Sequence, residues 1–174
     1  MNRIFVCADL HFGHKNIIAY ENRPFASVEE MNERLIENWN AVVDPDDIVY
    51  VLGDVGFCGN TKLSEWISRL NGHKHLIRGN HDLGRSLDKW CRLGFESACE
   101  EMTIHYACSN ERICMTHMPP QTIKPGCFYL YGHVHSSPDY PDHTDSTACV
   151  SIERLGYAPA LLEDVISGKA YERT

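Results

Sequence analysis

His75-Leu76-Ile77-Arg78-Gly79-Asn80-His81-Asp82 is the stretch on which the fold of this 174-residue chain turns. A short, largely apolar run gives way at a glycine to an amide, an imidazole and a carboxylate. The same arrangement recurs on both sides of it. Ile4-Phe5-Val6-Cys7-Ala8 runs into Asp9-Leu10-His11, and Ile48-Val49-Tyr50-Val51-Leu52 into Gly53-Asp54. Further on, Arg112-Ile113-Cys114-Met115 leads to Thr116-His117, and Phe128-Tyr129-Leu130-Tyr131 to Gly132-His133-Val134-His135. Short apolar runs bounded by turn residues read as strands. Side chains at the carboxyl ends of neighbouring strands converge in one crevice, where open α/β sheets hold their ligands. Meeting there, Asp9, Asp54, Asn80, His11, His117, His133 and His135 offer oxygen and nitrogen donors suited to divalent metals. Each cluster alone has a plainer reading: a capped turn at Asp9, a loop dipeptide at Gly53-Asp54, an ordinary turn at Gly79–Asp82, a structural histidine at 117. Five of them at consecutive strand ends point instead to a two-metal hydrolase.

Between the strands the helical signals are clear. A short helical segment is expected around Asn16–Tyr20, before Pro24 interrupts the chain. Ser27 with Glu30 three residues on forms a capping-box pattern, and the helix it opens carries Met31, Leu35, Ile36 and Trp39 at helical spacing. Another helix is expected from Thr61 to Leu70, capped by Asn60 and stopped at Asn71-Gly72, and a third over Arg85–Cys91, ending at Gly94. Residues 97 to 116 read as a β-meander with a hairpin turn near Ser109-Asn110. Residues 136–146, rich in Ser, Pro and Asp, read as a loop. Val150–Arg154 and Ala158–Leu162 read as a closing hairpin, with a helical turn around Glu163–Ile166. The front half is β-α-β-α-β and the back half mostly β, which suggests two packed sheets flanked by helices with the clusters along one edge.

Composition narrows the classes of function. The formal net charge is −8, which disfavours wrapping long nucleic acid, because non-specific affinity comes from Lys and Arg neutralising phosphates. A small phosphate ester stays compatible, since bound cations make a site locally positive. None of the eight cysteines stands in a Cys-x-x-Cys pair, so a zinc-finger or thioredoxin reading has no support. Met1-Asn2-Arg3 leads straight into a strand without a signal-peptide core, and no apolar run is long enough to span a membrane. A cytoplasmic location with reduced thiols is expected.

The series Asp-x-His at 9–11, Gly-Asp at 53–54, Gly-Asn-His-Asp at 79–82, an isolated His117 and Gly-His-x-His at 132–135 resembles the motifs of the calcineurin-like metallophosphoesterase superfamily. All of them stand in the family's order, with no catalytic position missing. The resemblance implies an α/β fold of two packed mixed β-sheets flanked by helices, a four-layer α-β-β-α sandwich, as a single domain over residues 1–174 without a cap. It implies two divalent metal ions, manganese first, with iron, zinc, nickel or cobalt as alternatives. Asp9, His11 and His135 would hold one ion, Asn80, His117 and His133 the other, and Asp54 would bridge them. A hydroxide between the ions would be the nucleophile. His81 would protonate the leaving group as general acid, with Asp82 fixing its orientation.

The activity so implied is phosphoester hydrolysis, with a phosphodiester favoured over a phosphomonoester. The expected partners are a small phosphate ester, a nucleotide or a short nucleic-acid end, and no membrane. The rival from another class is a catalytically silent binding scaffold of the same fold, which would have no use for an acid at His81. A purely structural metal site ranks last, because such sites are closed and thiolate-rich. His14 is placed either against substrate or as a helix-start histidine with a backbone or solvent partner. Arg23, beside Pro24-Phe25, reads as a surface arginine or a phosphate contact.

Overall fold

The computed structural model describes residues 2–106 and 112–172. β1 (Ile4–Cys7), β2 (Ile48–Val51), β3 (His73–Ile77) and β4 (Ser97–Cys99) run parallel in the order β4-β3-β2-β1, and β9 (Ala160–Leu161) closes the far edge antiparallel to β1. The second sheet has the order β5-β6-β7-β8: β5 (Met102–His105) is antiparallel to β6 (Arg112–Met115), while β6, β7 (Cys127–Tyr131) and β8 (Thr147–Cys149) are parallel. The fold is therefore α/β, two mixed sheets with helices flanking them.

Alternation along β1 explains the layers, because successive side chains point to opposite faces of a strand. Phe5 and Cys7 join Val49, Val51 and Leu76 in a core covered by three helices: α2 (Val28–Val42), α3 (Asn60–Ser68) and α4 (Leu87–Leu93). Val6 and Ala8, with Leu52 and Ile77, face Ile113, Met115, Phe128, Leu130 and Ala148 across the gap between the sheets. α5 (Leu162–Ile166) adds Leu162 and Val165 to that second core. A strand buried on both faces must be apolar throughout, which is why Ile4–Ala8 reads as an unbroken run. The remaining helix, α1, is one turn at Ile17–Tyr20.

α2 buries Met31, Leu35, Ile36 and Trp39 as their spacing predicts, together with Asn32, whose side-chain oxygen accepts the Gly13 N–H at 2.9 Å. Ser27 caps the helix, its hydroxyl oxygen accepting from the Glu30 amide at 3.1 Å. Ser27→Ala is expected to cost about 1 kcal/mol of stability. The expected signature is a lower urea midpoint with an unchanged m-value.

Three sequence expectations need correction. α3 begins at Asn60 itself with Gly59 at the cap, so Asn60 is not the capping residue. Residues 97–116 are not one meander: β4 adds parallel to β3, and the chain changes sheets across Glu100-Glu101 before β5 pairs with β6. A strand reached through a crossover helix lies parallel to the one before it, and α4 is that helix. The hairpin turn expected near Ser109-Asn110 falls outside the described residues. Nor do the two arms at 150–162 pair with each other. Both use the open side of β1, with Ala8 bridging Ser151 at one end and Phe5 opposite Leu161 at the other.

Candidate metal centre

The motif loops leave the sheets through an uncommon backbone conformation. Asp9, His11, Asp54, His133 and His135 have φ of 60°, 53°, 55°, 71° and 46°. Left-handed backbone is sterically costly for side-chain-bearing residues, and it persists only where the surroundings impose it. Here the turns hold one another. The Asp9 and His11 amides donate to the Gly53 and Asp54 carbonyls at 3.0 and 2.9 Å, and Gly132 N–H donates to the His117 carbonyl at 3.0 Å. The His133 amide donates to Asp9 Oδ2 at 2.9 Å. Gly53, at φ +87°, has no room for a side chain: a Cβ there would lie 2.5 Å from His117 Nδ1 and 2.6 Å from the Gly79 Cα.

All seven donors expected from the sequence come together in one cluster. Asp54 Oδ2 stands 3.6 Å from His11 Nε2 and 3.6 Å from His117 Nε2. Asn80 Oδ1 lies 2.8 Å from His117 Nε2 and 3.0 Å from His133 Nδ1. Donor atoms of Asp9, His11 and His135 lie within 4.8 Å of one another, as do those of Asp9, Asp54 and His117. His117 Nδ1–H donates to the Leu52 carbonyl at 2.7 Å, which in the neutral ring turns the Nε2 lone pair into the crevice. His11 Nε2 and Asp9 Oδ1 are buried without a hydrogen-bond partner. Leaving such an atom unpaired costs about 1–3 kcal/mol, and a cation accepts both lone pairs at once. On this donor chemistry the residues fit divalent metal ions.

Burial sets the charge states. It pushes the Asp9 carboxyl up to about 6, against the opposing pull of His135 and His117. It holds His11 far below the ordinary imidazole range, with the neighbouring His135 and Arg23 acting in the same direction. His133 is lowered by burial and then by His117. Neutral imidazoles keep their lone pairs for a metal. His135 differs: burial lowers its pKa, but the hydrogen bond to Glu153 and the charge of Asp9 outweigh it, so the net shift is upward.

The structure gives the two residues of the expected acid pair, His81 and Asp82, different surroundings. The His81 side chain is 47% exposed, facing the crevice, with Nε2 3.9 Å from Asp54 Oδ2. Asp82 does not orient that ring. Its buried carboxylate accepts instead from the amides of Asp54, Val55 and Gly79 at 2.8, 3.1 and 2.9 Å. Asp82 thus ties the Gly-Asp turn to the Gly-Asn-His-Asp turn, and His81 is held through its own amide, which donates to Asp54 Oδ1 at 3.0 Å.

Arg23 is neither on the surface nor a phosphate contact. It is 3% exposed and donates to the carbonyls of Leu10 and Asp9 at 2.9 and 2.7 Å, and to Glu153 Oε1 at 2.6 Å. Glu153 Oε1 also accepts from His135 Nδ1 at 3.0 Å. Ser151 donates to Asp9 Oδ2 at 2.6 Å. Glu153 and Ser151 escape sequence reasoning, since neither belongs to a motif. His14 lies 3.4 Å from His11 through their Nδ1 atoms and stacks on Phe57, with ring centroids 4.2 Å apart.

Paired sheets, strand-end turns and a cluster of buried oxygen and imidazole donors define a metal-dependent phosphoester hydrolase fold. The chain belongs to the calcineurin-like phosphoesterase family, which it matches over residues 2–157. It is 36% identical over 172 residues to an uncharacterised protein of Methanocaldococcus jannaschii, covering 95% of this chain and 90% of that one. It is 41% identical over 86 residues to the gene 66 protein of Mycobacterium phage L5, a match spanning 47% of this chain and 41% of the phage protein. Among solved structures, a protein of unknown function from Aquifex aeolicus superposes with a TM-score of 0.73 at 23% identity, over 96% of this chain and 99% of that one. The nuclease MPE of Pseudomonas putida superposes with a TM-score of 0.50 at 24% identity, over 77% and 61%. No helix among the described residues is long and apolar enough to cross a membrane.

Proposed function

We propose that the chain is a dinuclear phosphodiesterase, with Asp9, His11 and His135 holding one ion, Asn80, His117 and His133 the other, and Asp54 shared. The observation that carries this is the position of Asp54 Oδ2, equidistant at 3.6 Å from His11 Nε2 and His117 Nε2, one histidine from each ligand set. Manganese is the metal the family resemblance favours, with iron, zinc, nickel or cobalt as alternatives, since mixed oxygen and imidazole donors accept any of them. When bound, such ions supply a water acidified towards nucleophilic strength and positive charge against the phosphoryl oxygens.

The chain's own groups do the rest. The interlocked left-handed turns hold the donors in place, so little reorganisation is needed during the reaction. His81, exposed beside Asp54, is placed to give a proton to the departing oxygen. A diester is favoured because His81 is 47% exposed, which leaves the leaving-group side open to a substrate with two ester arms.

Purified protein supplied with Mn²⁺ is expected to hydrolyse bis(p-nitrophenyl) phosphate, and chelation is expected to abolish turnover and lower the melting temperature together. Absence of turnover across several metals, with metal bound, would leave the silent scaffold as the better account. His81→Ala is expected to cost about 100-fold in kcat on alkyl esters, within the usual range for a general acid. On p-nitrophenyl esters, whose leaving group needs no proton, the loss is expected to be several-fold at most. Equal losses on both would remove His81 from the acid role.

A further inference from the structure

The metal-binding loops carry an apolar fringe that the metals do not explain. Tyr20, Phe57, Leu83 and Met118 are 68%, 39%, 60% and 51% exposed. Phe57 follows Asp54 by three residues, Leu83 follows Asp82, and Met118 follows His117.

Phe57 is the best defined of these. Its ring lies nearly parallel to His11, at 16° with centroids 5.4 Å apart, and stacks on His14 at 25° and 4.2 Å. It is also 4.7 Å from the His81 ring. His14 stacks on one side of the Phe57 ring, and the 39% of the residue left exposed stands beside the group placed to protonate the leaving oxygen. Whatever is attached to that oxygen passes over it.

Charge separates the candidates for that attached group. A protein that grips an extended nucleic-acid backbone needs a rail of unpaired Lys and Arg. This chain has a net charge of −8, which disfavours that mode of binding. Binding through a planar base needs no such rail, because every base offers a π-face to an aromatic ring.

Resting on the phosphodiesterase reading above, we propose that Phe57 is the stacking surface for a nucleobase carried on the leaving-group side of the scissile phosphate. The substrate class is then a nucleotide ester or the unpaired end of a short strand, recognised by one base and one phosphate.

The test is calorimetric and needs no turnover. Manganese-loaded protein is titrated with inorganic phosphate, ribose 5-phosphate and the 3′- and 5′-monophosphates of adenosine. At least one nucleotide is expected to bind about tenfold more tightly than ribose 5-phosphate, as stacking of one base provides. Phe57→Ala is expected to bring that ratio close to one, and Phe57→Trp to preserve it. A merely structural role for Phe57 would weaken both ligands alike and leave the ratio standing, which overturns the proposal. So does a wild-type ratio near one with both ligands bound, and in that case the phosphoesterase reading survives. Failure of inorganic phosphate itself to bind would take that reading down as well.

Discussion

Asp54→Ala is expected to abolish the binding of both metal ions and to lower kcat/KM by at least about 10³-fold, since charge stabilisation and nucleophile supply are lost together. One carboxylate oxygen lies 3.6 Å from each of the two histidines, so on the proposed assignment neither ligand set would be complete without it. Its other oxygen accepts the His81 amide, so the truncation also frees the turn that presents the acid. Asp54→Asn separates these effects. It retains an oxygen for the His81 amide and the side-chain volume, but loses the charge that balances two cations. The asparagine variant is expected to fold with the stability of metal-free wild type and to show no rise in melting temperature on adding Mn²⁺. Two equivalents of tightly bound metal in either variant would contradict the shared position of Asp54.

How far the site could be read beforehand follows from where its information lies. The seven donors sit directly after apolar runs, and a run followed by a turn is a local pattern. The buried face of α2, from Met31 to Trp39, is local in the same sense. What escaped was decided by distant pairing. Nothing in Ser97-Ala98-Cys99 distinguishes a strand that adds to β3 from one that turns back toward β5, because pairing depends on the neighbouring edge that is open. Similarly, Val150–Leu162 alternates like a hairpin, yet β1 offers partners to both arms. Asp82 stands next to His81 in the chain, and the family resemblance implied that it orients the ring. In the folded protein three amide donors from two turns converge on its carboxylate instead. Arg23 shows the same limit most plainly, since its partner Glu153 is 130 residues away.

That pair underlies the second large effect. Arg23→Ala is expected to destabilise the fold by about 3–5 kcal/mol, the range for breaking a buried ion pair from one side. Its guanidinium serves four acceptors, the Asp9 and Leu10 carbonyls, Glu153 Oε1 and, at 3.5 Å, Met31 Sδ, and alanine takes the donor away from each. The two carbonyls belong to the turn whose residues Asp9 and His11 hold left-handed φ, so the strain there loses one of its restraints. Glu153 is affected twice over. Burial raises its pKa, and the His135 hydrogen bond with the Arg23 charge reverses the direction, so without Arg23 the carboxyl drifts back upward. Without the guanidinium that anchors it, Glu153 is held less firmly against His135 Nδ1–H, and the ring loses part of the restraint on its orientation. The damage is therefore expected to be asymmetric: metal lost from the proposed Asp9–His11–His135 set before the Asn80–His117–His133 set, read as one equivalent retained where wild type is expected to hold two. Glu153→Gln removes the stranded charge, so the double variant Arg23→Ala/Glu153→Gln is expected to recover part of the stability lost by Arg23→Ala alone, visible as non-additivity in a urea double-mutant cycle. Strict additivity in that cycle, or equal loss of both metals, would show that Arg23 acts on the fold at large and not through Glu153 and His135.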